Sequence, residues 1–188
     1  MTNNVKPDQT KAMTGPMVSR KYDVMHIVLR LVSLSASLIS VAVMTTAKER
    51  STVSIYGFEL PLHSKWSFSG SFLYLVCVSA IVAFHSLLQL VMTSSRMLKK
   101  SSVFSSRKHA WIIFACDQVF AYAMMSAVSA ATGVTNLNRT GFKHPPLPNF
   151  CKPLHSFCDR VGVSIAFAFF NCFMLAISAV LDVVWLAN

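Results

Sequence analysis

The chain is poor in charge: only 13% of its 188 residues are Asp, Glu, Lys or Arg, and acids are the scarcer kind, 7 against 17 bases. Soluble domains carry roughly 25% charged residues. With 54% hydrophobic residues as well, a soluble protein of this composition would expose large apolar patches, and a disordered one would lack this much apolar content. Both classes are excluded. Gly-rich phosphate loops, metal-ligand clusters and a nucleophile–base arrangement are also missing, so neither enzyme nor cofactor chemistry is expected. The basic residues have no interleaved aromatic platform, which argues against nucleic acid as a partner.

What the chain has is four long apolar runs, at 26–46, 71–92, 110–132 and 161–186. A helix needs about 20 residues to cross a bilayer. The pieces between the runs are too short to build a core of their own. The expected fold is an all-α membrane protein: a four-transmembrane-helix bundle over 26–188, preceded by a disordered cytoplasmic tail at 1–25. Arg30 interrupts the first run, which is too long for a cleaved signal peptide. The N-terminal piece and the second connection hold 9 Lys and Arg in 42 residues, against 7 in 52 for the other two connections. This bias places both termini in the cytosol. Tyr22, Trp111 and Trp185 then fall at inner edges and Trp66 near the outer one, as aromatic anchors do.

Charges at membrane depth are costly and call for partners. Arg30 lies about 6 Å inside the inner edge, Asp117 and His85 about 10 Å, and Asp182 about 6 Å. An intramembrane pair of Arg30 with Asp117 is expected, with Asp182 as rival partner. Arg30, Ser33, Ser37 and Ser40 share one helical face, as do Ser164, Asn171, Ser178 and Asp182. Such stripes suit hydrogen bonds between helices, and Ala123, Ala127 and Ala131 suit close approach. The same residues also fit an alternative: a small transporter or channel subunit with a polar route through Arg30, His85, Asp117 and Asp182.

The third connection contains Cys151 and Cys158 on the side expected to be oxidising, close enough for a local disulfide. A metal site with His144 and His155 is the other reading, although the spacing fits no common zinc pattern. Asn138-Arg139-Thr140 is a glycosylation sequon on the same side. The second connection is basic and Ser-rich, which serves topology and attracts anionic membrane lipids.

Several segments resemble the plant Casparian strip membrane domain protein family, in its CASP-like branch. They are Leu29-Arg30-Leu31-Val32 with Met44-Thr45-Thr46-Ala47-Lys48-Glu49, Asp117 followed by Ala127-Val128-Ser129-Ala130-Ala131, and Cys151 with Ser156-Phe157-Cys158-Asp159-Arg160. The family's intramembrane Arg and Asp map onto Arg30 and Asp117, and its loop cysteines onto Cys151 and Cys158. The resemblance implies a non-enzymatic plasma-membrane scaffold that self-associates, forms hetero-oligomers with related tetraspans, and recruits wall-modifying partners. The first outer loop, Ser54-Ile55-Tyr56-Gly57-Phe58-Glu59-Leu60-Pro61-Leu62, lacks the acidic–aromatic stretch of the founding members, which points to a CASP-like relative.

Overall fold

The structure is a computed structural model, and it describes residues 10–55, 58–98, 107–140, 151 and 154–187. Four long helices run through it: α1 Thr10–Thr45, α2 Gly70–Leu98, α3 Arg107–Thr140 and α4 His155–Ala187. Each contains a stretch long and apolar enough to cross a membrane: Val24–Thr45, Gly70–Ser95, Trp111–Thr140 and His155–Val184. The helices form a ring in which α1 packs on α2 and α4, and α3 packs on α4 and, least closely, on α2.

The buried positions explain the packing. They include 26, 30, 33, 37, 40 and 44 on α1, and 161, 164, 168, 171, 175, 178 and 182 on α4. On α2 they include 72, 75, 79, 82 and 86, and on α3 117, 121, 124, 128 and 131. Each series alternates steps of three and four, the seam that lets helices lie nearly parallel at about +20°. The outward faces carry large apolar side chains such as Leu31, Leu38, Phe84, Val119, Tyr122, Phe173 and Val180, all exposed. Water would penalise such a surface and lipid solvates it.

Three features differ from the sequence expectations. The tail expected to be disordered is helical from Thr10 onward, while residues 1–9 lie outside the described residues. Once a membrane span has nucleated a helix, most further residues add a hydrogen bond at low cost, and Lys11, Ala12, Met13, Met17, Arg20 and Lys21 are good helix formers; Gly15 and Pro16, which has no N–H to donate, run against this trend. The first connection is an antiparallel hairpin, β1 Lys48–Ile55 with β2 Phe58–Lys65, in register from Lys48↔Lys65 to Ile55↔Phe58. Its β-branched Thr52, Val53 and Ile55 favour strand. A single 3-10 turn, Trp66–Phe68, leads from it into α2. Finally, α3 continues to Thr140, so Asn138 sits half-buried in its last turns and not in an irregular loop. The proline-rich stretch at 145–148 and His144 lie outside the described residues.

The hairpin end of the bundle is tied together by two reciprocal caps. Glu49 of β1 accepts the backbone N–H of Phe157 at 2.7 Å, satisfying one of the free donors in the first turn of α4. In return, Arg160 of α4 donates through Nη1 to the Thr46 carbonyl at 2.8 Å, just past the end of α1. Cys151 and Cys158 are joined as a disulfide, with a Cα–Cα distance of 5.8 Å. It pins the chain entering α4 to the first turn of that helix.

Candidate functional site

The interior of the bundle is a polar seam built on the α1 and α4 stripes. Nearest the hairpin end, Ser40 and Ser164 bond reciprocally: Ser164 Oγ donates to the Ser40 carbonyl at 2.8 Å, and Ser40 Oγ to the Ser164 carbonyl at 3.0 Å. Two short side chains at one level let the α1 and α4 backbones approach closely. About one turn further in, Asn171 Oδ1 accepts from Ser33 Oγ at 2.6 Å and Asn171 Nδ2 donates to Ser37 Oγ at 2.6 Å. Ser33 also lies 3.3 Å from Ser86 Oγ of α2. Asn171 thus spends both ends of its amide on one face of α1. Replacing it with Leu removes both bonds at nearly constant volume. At about 0.6–1.7 kcal/mol per interhelical bond in membranes, the expected loss is about 1–3 kcal/mol, read as a lower melting temperature of the purified protein in detergent.

Deeper still, one carboxylate joins all four helices. Asp117 of α3 and Arg30 of α1 are 0% and 2% exposed. Arg30 binds Asp117 through both terminal nitrogens: Nη1 donates to Oδ1 at 3.0 Å, and Nη2 donates to Oδ2. This fork-to-carboxylate geometry is the strongest ion-pair arrangement available to side chains. Ser178 of α4 donates to Oδ2 at 3.3 Å, and His85 Nε2 of α2 lies 3.2 Å from Oδ1. A carboxylate paired with arginine only accepts, so His85 Nε2 carries the hydrogen. The Gln89 amide nitrogen lies 3.0 Å from the same His85 nitrogen. The His85 ring also packs on Phe120, with centroids 4.5 Å apart.

One turn closer to the start of α1, His26 Nε2 lies 2.6 Å from Oδ1 of Asp182 on α4, both buried. Asp182, the rival acid, is thus held by His26, and it is Asp117 that meets Arg30. The second oxygen of Asp182 makes no hydrogen bond among the described residues, so this link is the thinner of the two.

Above Ser40 the seam ends in an apolar layer that includes Met44, Val161, Leu154 and Phe157. Among the described residues there is no group of three or more metal-ligating side chains, and Cys151 is spent on Cys158.

This arrangement occurs in a chain that matches the Casparian strip membrane protein domain over residues 19–174. It belongs to that family. CASP-like protein 3A1 of Vitis vinifera is 62% identical over 188 residues, covering 96% of this chain and 90% of that protein. CASP-like protein 3A2 of Populus trichocarpa is 62% identical over 169 residues, covering 90% and 80%. CASP-like protein 3A1 of Picea sitchensis is 54% identical over 168 residues, covering 89% and 82%. No solved structure matches the chain.

For this member of the Casparian strip membrane protein domain family, reading the sequence missed His26, Gln89 and the Glu49 cap. His26 was detectable: it extends the 30, 33, 37, 40 stripe back by one turn. Glu49 was not, because nothing local tells a strand carboxylate that its partner is a backbone N–H more than a hundred residues away.

Proposed function

We propose that this CASP-like chain is a non-enzymatic scaffold of the plasma membrane. Both termini and the α2–α3 connection lie in the cytosol. The chain self-associates, and assembles with related tetraspans, into membrane domains, and its outer loops recruit wall-modifying partners. Its buried charges serve to hold the bundle in one register, leaving the outward helix faces free to pack laterally.

The observation that carries this reading is the outward face of α3. This helix is the least apolar of the four and also the least buried. A helix facing only lipid should be the most apolar. Exposed on it are Ser126, Ser129, Ala130 and Gly133. A Cβ added at Gly133 would meet nothing within 4 Å, so the chain's own packing does not call for a glycine that weakens a helix by about 0.5–1 kcal/mol relative to Ala. Small residues on an open helix face are how membrane helices of separate chains come close.

The transport alternative has less support, since the polar seam stops at the apolar layer around Met44 and Val161.

The test is cross-linking and size analysis of the protein in nanodiscs and mild detergent. The wild-type chain is expected to form oligomers. Ser126→Leu with Gly133→Leu is expected to cut the oligomer fraction at least about tenfold, with helix content and melting temperature unchanged, because both side chains point away from the bundle. A strictly monomeric wild type at membrane-like concentration contradicts the scaffold, and undiminished oligomers in the double variant contradict the α3 face.

A further inference from the structure

We infer that one buried water molecule is bound between Arg30 and Asp182, joining the two acid–base pairs of the seam into a single hydrogen-bonded array. Two atoms of opposite kind carry the inference. Among the described residues, two buried side-chain polar atoms make no hydrogen bond: Nε of Arg30, which donates, and Oδ2 of Asp182, which accepts. Both side chains are enclosed, 2% and 1% exposed. A closed ring of contacts brings them to one place. Arg30 Nη2 donates to Asp117 Oδ2, and Ser178 donates to that same oxygen at 3.3 Å. Asp182 follows Ser178 by one turn of α4. Asp182 meets His26 at 2.6 Å, and His26 precedes Arg30 by one turn of α1. Four residues on each helix close the ring, about 6 Å of rise.

The chemistry of this spot names its occupant. A guanidinium presents its donors along fixed edges. The end edge of Arg30, Nη1 with Nη2, is taken by Asp117. The side edge, Nε–H with the second hydrogen of Nη2, lies on the Nη2 flank. That is the flank next to Ser178, and so next to the turn of α4 that carries Asp182. A cation there would face the guanidinium, and an anion would face the Asp182 carboxylate. A small neutral group that both accepts and donates satisfies the two atoms at once, and water is the smallest. A buried water makes about three hydrogen bonds to groups otherwise unsatisfied. Here it accepts from the side edge of Arg30 and donates to Asp182 Oδ2. The array then runs from His26 through Asp182, the water, Arg30 and Asp117 to His85, and it touches all four helices.

The test is magnetisation transfer from water to arginine Nε–H protons, read by solid-state NMR of the full chain in lipid bilayers with isotope-labelled arginine and aspartate. The readout is an interior nitrogen, so the outcome is distinct from the fate of the scaffold. Arg30 is assigned by loss of its signal in Arg30→Lys and, independently, by the contact of its guanidinium with the Asp117 carboxylate. The expected result is a water cross-peak at Arg30 Nε–H. It builds up at least about threefold more slowly than at exposed Arg139 and Arg160, because one held water supplies it and not bulk solvent. Asp182→Leu, which removes the acceptor, lowers the cross-peak at least about threefold. Asp182→Asn, which keeps a polar atom at the site, retains it. Absence of the cross-peak in the wild type overturns the bound water. Build-up as fast as at Arg139 overturns it in favour of an open aqueous route. An undiminished cross-peak in Asp182→Leu overturns the placement against Asp182. If Asp182→Leu does not fold, the wild-type spectrum decides alone.

Discussion

Asp117→Ala is expected to be the most damaging single substitution in the chain, lowering stability by about 3–5 kcal/mol. That is the cost of leaving one member of a buried ion pair alone. The size follows from connectivity. Asp117 accepts from Arg30 on α1, lies against His85 on α2 and accepts from Ser178 on α4. Its removal strands the Arg30 guanidinium, 2% exposed, in a medium where an unpaired charge is prohibitive. Asp182→Ala is expected to cost less, because Asp182 bonds His26 through a single oxygen and strands no guanidinium. The measurement is thermal denaturation in detergent, together with the fraction of protein reaching the cell surface. Charge exchange, Arg30→Asp with Asp117→Arg, is expected to recover part of the loss.

Breaking the Cys151–Cys158 disulfide is the second large effect. Cys151 and Cys158 close a loop with a sequence separation of 7. The loop-entropy model gives about 2–3 kcal/mol for a ring of this size. More is at stake than chain entropy, because the bond holds the first turn of α4 where the Phe157 N–H meets Glu49 and Arg160 meets the Thr46 carbonyl. Cys151→Ser/Cys158→Ser is expected to lower stability by about that amount and to speed protease cleavage of the hairpin β1–β2, while leaving the deep Arg30–Asp117 pair intact. Dithiothreitol treatment of the wild type should reproduce both effects. Unchanged cleavage of the hairpin after reduction would show that the caps hold without the bond.

The spans were legible because crossing a bilayer demands about 20 apolar residues, a signal that no tertiary context overrides. The facing stripes were legible for a similar reason. Ser33 and Ser37 could be placed on one face from spacing alone, as could Asn171 and Ser178. Depth did not decide which acid meets Arg30, since Asp182 lies at a similar estimated depth. The choice depends on helix rotation and on the reach of a long side chain across the bundle. The Asp182 position is taken by His26, a residue at the very edge of its apolar run. The hairpin was invisible for another reason. A two-stranded sheet is marginal on its own, and this one is anchored by Glu49 at the Phe157 N–H of α4 and, just before it, by Arg160 of α4 at the Thr46 carbonyl, which sequence periodicity does not encode. The helical extension of α1 toward Thr10 was hidden because tail composition says little about a segment that merely prolongs a helix already formed.

A double-mutant cycle on Arg30→Met and Asp117→Leu tests most directly whether the bundle is locked at this pair. Each single variant should lose about 3–5 kcal/mol, while the double variant, with no unpaired charge and similar side-chain volume, should be more stable than either. Losses that simply add would mean that the two side chains do not depend on each other, and would contradict the account.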